Sequence, residues 1–183
     1  MQQPAILNMV SHAQEFQQLK VRDEELQELD RHMFDDCYLP VSGGSESTEG
    51  KVNILLQTYI GKQLVENFSL VSDMSYVAQN AGRIIRALFE IVLRKGWSVM
   101  TGRLLTLSKV IEHQLWDFEH PLRQFNELRP EILNKLEQFE LSLDRLKEMD
   151  SNEIEIFGSD ATFVTVTLGG FALRHILKQL FEY

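Results

Sequence analysis

The sequence predicts a mainly α protein, a helical bundle around one long central helix with a short C-terminal tail of mixed β/α character. Three observations carry this prediction. Apolar residues recur at helical spacing along most of the chain. One stretch, Val71 to Trp97, keeps that spacing for about seven turns and sets a polar face against an apolar one. The breakers are concentrated at Pro40–Gly50, Gly61, Gly96, Pro121 and Pro130, where helices should stop or start.

Pro4 suits a first helical turn, and Ile6, Met9, Val10, Ala13 and Phe16 follow it at helical spacing. Val21 to Phe34 reads as a second helix, with Leu26, Leu29 and Met33 on one face and acidic residues opposite. PVSGGSESTEG, residues 40–50, is a polar loop. Lys51 to Ile60 follows as a third helix with Val52, Leu55, Leu56 and Tyr59 inward, and Gly61 stops it. Ser69 or Ser72 can cap the long helix. Within it, at 100° per residue, Val77, Ala81, Ile84, Leu88 and Ile91/Val92 fall together. Gly82 lies in mid-helix, where glycine costs about 1 kcal/mol against alanine. Close approach of another backbone or of a ligand would offset that cost. Gly96 ends this helix, and Thr101 to Leu115 forms a fifth with Leu104, Leu105, Leu107, Val110 and Ile111 apolar. Shorter pieces follow: PLRQF, PEILNKLEQF and SLDRLKEM. In the tail, Ala161 to Leu168 alternates and is β-branched, which predicts a strand, and Phe171 to Tyr183 a short helix.

Eighteen basic and 27 acidic residues give a net charge of −9. An acidic surface repels phosphate, which argues against bulk binding to nucleic acid. The charge is uneven, however: residues 78–109 hold six basic side chains and one acidic. Cys37 is the single cysteine, which excludes an intrachain disulfide and a cysteine-based zinc site. The N-terminus lacks the basic-then-apolar pattern of a secretory signal, and no apolar run approaches the ~20 residues that cross a bilayer. A nuclear or cytosolic protein without membrane partner or cofactor is expected.

Three sets of residues invite a chemical reading. GGSESTEGK resembles a phosphate-binding loop, but five residues separate Gly44 from Gly50 where four are required, and Val52 replaces the metal-binding hydroxyl. It reads as a surface loop. His32, His113 and His120, with Asp35, Asp36, Asp117 and Glu119 nearby, lack metal-ligand spacing and read as surface histidines. The third set is a stripe on the long helix: Gln79, Arg83, Arg86, Glu90 and Arg94, with Trp97 one turn further. Arginine and glutamine suit phosphates and base edges, and an indole can stack a base. Spacing alone favours a solvated face that pairs within itself, Arg86 with Glu90 and Glu90 with Arg94.

SYVAQNAGRIIRALFEIVLRKGW, with KVNILLQTYI before it and LLTLSKVIEHQLW…PLRQF after it, resembles the Sec63 homology region of the Ski-two-like DExH-box helicases. KVRDEELQELD is similar to that region as well, and the resemblance runs over roughly residues 5–154. It implies a helical bundle behind two motor domains, whose long ratchet helix touches the translocating strand. Mapped here, the bundle is residues 1–127, the start of a helix-hairpin-helix-like unit is 128–154, and a divergent tail is 155–183. Gln79, Arg83, Arg86, Arg94 and Trp97 then become nucleic-acid-binding residues. The implied partners are single-stranded DNA or RNA and the helicase motor domains or complex subunits. The family's ATP-binding and DExH motifs do not occur in this sequence, so the expectation is a truncated, non-catalytic accessory fragment. The rival expectation is a scaffold module that docks a motor domain or partner subunit through the same stripe.

Overall fold

The computed structural model describes residues 3–125, 128 and 130–148. These residues form helices α1 (Gln3–Ser11), α2 (Leu26–Asp35), α3 (Thr48–Ile60), α4 (Phe68–Arg94), α5 (Ser98–His113), α6 (Pro130–Gln138) and α7 (Leu143–Glu148), with short 3-10 turns between them and no strand. The expected strand at 161–168 and helix at 171–183 lie outside the described residues. The chain divides into two compact units, Met1–Trp116 and Asp117–Tyr183.

The first unit is built around α3, which packs against α1, α2, α4 and α5. Its apolar core joins Ile6, Leu7 and Val10 of α1, Leu29 of α2, Ile54 and Leu55 of α3, Ile85 of α4 and Leu107 of α5. Helix α1 is shorter than the spacing of its apolar residues predicts. The Ser11 hydroxyl donates to the carbonyl of Asn8 at 2.8 Å, the His12 ring shares that carbonyl, and Ala13 turns extended. Met9, although inside α1, is exposed, while a 3-10 turn carries Phe16 into the core, edge-on to Tyr76.

Helix α3 is buried on nearly every side, so its polar residues must find partners inside. The Gln57 amide grips the Leu39 backbone, accepting from its N–H at 2.8 Å and donating to its carbonyl at 2.9 Å. Thr58 donates to the Ile54 carbonyl. Ser47 caps the helix by accepting from Gly50 N–H at 2.9 Å. Gly50 has to be glycine: a Cβ there would lie 1.6 Å from the Gly44 carbonyl oxygen.

Lys51 is fully buried. Its ammonium donates to Glu25 Oε2 at 2.6 Å, Asp73 Oδ2 at 2.7 Å and the Lys20 carbonyl at 3.3 Å. Arg22 adds a second cation to Glu25, and the Ser69 hydroxyl donates to Glu25 Oε1 at 2.6 Å. Three separate elements are thus joined at one buried ion cluster. Burial pushes the Glu25 carboxyl up, but the hydrogen bonds from Lys51, Ser69 and Arg22 outweigh it and hold the group at about 2. Because the folded value lies below the ordinary 4.5, the stabilisation is complete above that pH and is lost as pH falls from 4.5 toward 2. The contribution is ~3 kcal/mol. Urea unfolding followed by circular dichroism is expected to show falling stability between pH 5 and pH 3. Glu25→Gln should flatten much of that slope, and a pH-independent midpoint would refute the assignment.

Helix α4 has 27 residues and is about 40 Å long. Its N-cap is Asn67, whose side chain accepts from Ser69 N–H at 2.9 Å, rather than Ser69 or Ser72 as the sequence suggests. The Glu28 carboxylate of α2 accepts from the amides of Glu66 and Asn67, an anion placed at the positive end of the helix. The helix stops at Gly96, which takes φ +71°, while Trp97 N–H reaches back to the Val92 carbonyl at 3.1 Å. The turn into α5 ends the helical register, so Trp97 lies beyond α4 rather than on its last turn. The Gln114 side chain, after α5, donates to the Tyr59 carbonyl and ties α5 to α3.

The second unit has its own small apolar cluster, Leu122, Leu128, Leu133, Leu136 and Leu146. Arg123 binds both carboxylate oxygens of Glu137 at 2.6 Å, and this pairing, against burial, holds Glu137 at about 2.

Candidate nucleic-acid interface

The polar stripe runs along the outer side of α4. Gln79, Arg83, Arg86, Glu90 and Arg94 are all exposed, and about 22 Å of helix separates the first from the last. The opposite side, Leu70, Val77, Ala81, Ile85 and Val92, is buried. The amphipathic pattern explains this division: one face is spent on α3 and α5, leaving the other to solvent.

The arginines differ in how they are held. Arg83 donates to Asn80 Oδ1 at 3.2 Å, and Asn80, nearly buried, donates in turn to the Tyr76 carbonyl at 2.9 Å. One terminal nitrogen of the Arg83 guanidinium is thus bonded to the helix it grows from. Arg86 lies 3.7 Å from Glu112 of α5, and both side chains are more than 60% exposed. Such a pair contributes about 0–1 kcal/mol, so it leaves the arginine available. The pairs anticipated within the stripe, Arg86 with Glu90 and Glu90 with Arg94, do not form. Among the described residues neither Glu90 nor Arg94 has a side-chain partner. Trp97 is 59% exposed at the start of α5.

Beside the stripe is a groove of about 470 Å³. Helix α4 supplies Gln79, Gly82 and Arg86, and α5 supplies Ser108, Ile111 and Glu112. Gly82 has no close backbone neighbour: a Cβ there would meet nothing within 4 Å. Of the two explanations for this glycine, packing against another backbone is thereby removed. The α5 side of the groove was not singled out from the sequence. Its signal was the i, i+3, i+4 placement of Ser108, Ile111 and Glu112 on one helical face.

The other candidates have structural roles. Lys51, which ends the glycine-rich loop, is sealed in the ion cluster and cannot reach a phosphate. His32 is buried, not on the surface, with Nδ1 2.5 Å from Asp36 Oδ2. His120 is also buried. Its Nε2 is 2.8 Å from the Leu141 carbonyl and its Nδ1 accepts from Leu122 N–H at 3.2 Å. His113 is exposed at the end of α5. No cluster of three potential metal-ligating side chains occurs among the described residues. Burial and the Asp36 charge push the Cys37 thiol up to about 12, which makes it a poor nucleophile. No described helix is long and apolar enough to cross a membrane.

Comparison with known proteins gives this surface a context. The family model described as the Sec63 Brl domain matches residues 1–174. The chain is similar to activating signal cointegrator 1 complex subunit 3 of Gallus gallus, 57% identical over 81% of this chain and 7% of the relative. It is also similar to the DExH-box ATP-dependent RNA helicase DExH14 of Arabidopsis thaliana, 47% identical over 84% of this chain and 7% of the relative. The U5 small nuclear ribonucleoprotein 200 kDa helicase of Homo sapiens is 39% identical over 81% of this chain and 7% of its own length. The chain therefore spans a small fraction of the relatives it matches.

Proposed function

Because the chain belongs to the Sec63 Brl domain family, we propose that it is a non-catalytic accessory bundle of an ATP-dependent nucleic-acid helicase whose α4 contacts translocating single-stranded DNA or RNA. Two of the three relatives described above carry the word helicase in their names. The single observation that supports strand contact is the exposed line of arginines, unpaired within itself, in an otherwise acidic protein. Arg83, Arg86 and Arg94 would hold phosphates, Gln79 would reach a base edge and Trp97 would stack a base.

The test is fluorescence anisotropy of a short single-stranded oligonucleotide against the full chain, repeated over a salt series. With about three phosphate contacts, log affinity should fall with log salt at a slope of roughly −2. Arg83→Glu with Arg86→Glu should weaken binding at least ~10-fold and flatten the slope by about 1.4, leaving the share of Arg94. Unchanged affinity in that variant would remove strand contact from the reading.

One observation favours a second reading. Ile91, Leu93, Trp97 and Val99 are all more than half exposed where α4 meets α5. In this reading the arginine stripe, Arg83 and Arg86 included, docks a motor domain or partner subunit, with exposed apolar side chains at its far end adding contact. The double arginine variant would then lose that partner in co-purification from the full-length parent while strand binding persisted.

A further inference from the structure

We propose that the groove between α4 and α5 at Gly82 is a base-binding subsite, which takes one nucleobase turned out of the strand that follows the arginine stripe. The inference rests on the strand-contact reading of α4 and adds to it a place for the base. Three features of the groove support it.

The first is position. At 100° per residue, Gln79, Arg86 and Gly82 lie on the α5 side of the stripe, and Arg83 and Arg94 lie on the other. Gln79 and Arg86 line the groove as well as belonging to the stripe. A strand whose phosphates follow the arginines therefore passes the mouth of the groove with its bases free to turn toward α5.

The second is shape. The groove holds about 470 Å³, within the range of pockets that enclose small organic ligands. Ala78 and Ile111 give it apolar wall, and the missing side chain at Gly82 keeps it open. Beyond its chain neighbours and the helix's own backbone, no atom of the chain lies within 4 Å of where a Cβ of Gly82 would stand, so the α4 wall of the groove is open at this point.

The third is charge. Glu112 stands at the groove 3.7 Å from Arg86. Its carboxylate repels a phosphate but accepts hydrogen bonds from the exocyclic amines of adenine, cytosine or guanine. Gln79 offers both a donor and an acceptor to a base edge. The groove is thus chemically unlike the stripe beside it: the stripe attracts anions, and the groove suits a flat, neutral, hydrogen-bonding ring.

Gly82→Leu provides the test. Leucine favours helix over glycine, and its side chain leans back over the preceding turn, toward Ala78 and the floor of the groove. Circular dichroism confirms that the variant folds, and Gly82→Ala is the control that leaves most of the space open. Binding of a mixed-sequence single-stranded oligonucleotide is compared with that of an abasic strand of equal length and charge, by anisotropy at low salt. The wild-type chain is expected to prefer the base-bearing strand about 10-fold. Gly82→Leu should lose most of this preference, keeping only the part that stacking on Trp97 supplies, and should keep its affinity for the abasic strand, while Gly82→Ala should behave as wild type. Equal affinity of the wild-type chain for both strands overturns the groove and leaves the stripe standing. A preference undiminished in Gly82→Leu places the base contact elsewhere and also overturns it. Binding of neither strand overturns both the groove and the strand-contact reading.

Discussion

Lys51→Met is expected to destabilise the first unit by about 3–5 kcal/mol. The ammonium is fully buried and lies 2.6 Å from Glu25 and 2.7 Å from Asp73. Methionine fills nearly the same volume, so the loss is electrostatic rather than a cavity. Without the cation, Glu25 stays buried with its charge answered only by Arg22, which is half exposed, and by Ser69. A domain of this size has roughly 5–15 kcal/mol of total stability, so the variant should be near the edge of folding. Urea unfolding followed by circular dichroism measures the effect. Adding Glu25→Leu to Lys51→Met should recover at least half of it, because an apolar pair of similar size replaces two charges. Removing Arg22 alone should cost under about 1 kcal/mol, since water screens a cation 49% exposed. If Lys51→Met costs no more than Arg22→Gln, the buried cluster does not hold these elements together.

Trp116→Ala should cost a similar amount, about 3–5 kcal/mol, through a different cause. Trp116 is 1% exposed, at the end of the first unit and among the residues of its core. Tyr38 meets it edge-on, with ring centroids 5.8 Å apart and planes at 76°. Truncation leaves a cavity as large as an indole and strips the contact from Tyr38. Thermal unfolding should fall by ~10 °C, at roughly 2–4 °C per kcal/mol. Trp116→Phe should retain most of the stability. Tyr38→Ala should cost less than Trp116→Ala, because Tyr38 is itself 59% exposed. Equal melting temperatures for Trp116→Ala and wild type would show that the C-terminal end of this unit contributes no core.

The helical class was legible because amphipathic spacing reports directly on which face is buried. The stripe was legible for the same reason, and Gln79, Arg83, Arg86 and Arg94 emerge on the exposed face of α4. What escaped the sequence depends on contacts between distant residues. Lys51 looks like a solvated lysine until Glu25 and Asp73, 26 and 22 positions away, are brought to it. Helix α3 is buried all round, so apolar spacing picks out four inward residues and misses Asn53, Gln57 and Thr58, which are equally hidden. The end of α1 depends on two side chains competing for one carbonyl, a local choice that periodicity does not register. The groove is invisible to a reading of α4 alone, since its other wall is 26 residues further on: Arg86 faces Glu112.

The way α4 is secured also has a mechanical side. Its N-terminal end is held by the Glu28 carboxylate and, at Asp73, by Lys51, whereas at its far end Ile91, Leu93 and Arg94 stand in solvent. Between its ends the buried side of α4 rests on α3 and α5 as far as Val92. A sideways load at Arg83 or Arg86 is therefore shared along a continuously supported beam, whereas Arg94, two residues past the last buried side chain, loads its free tip.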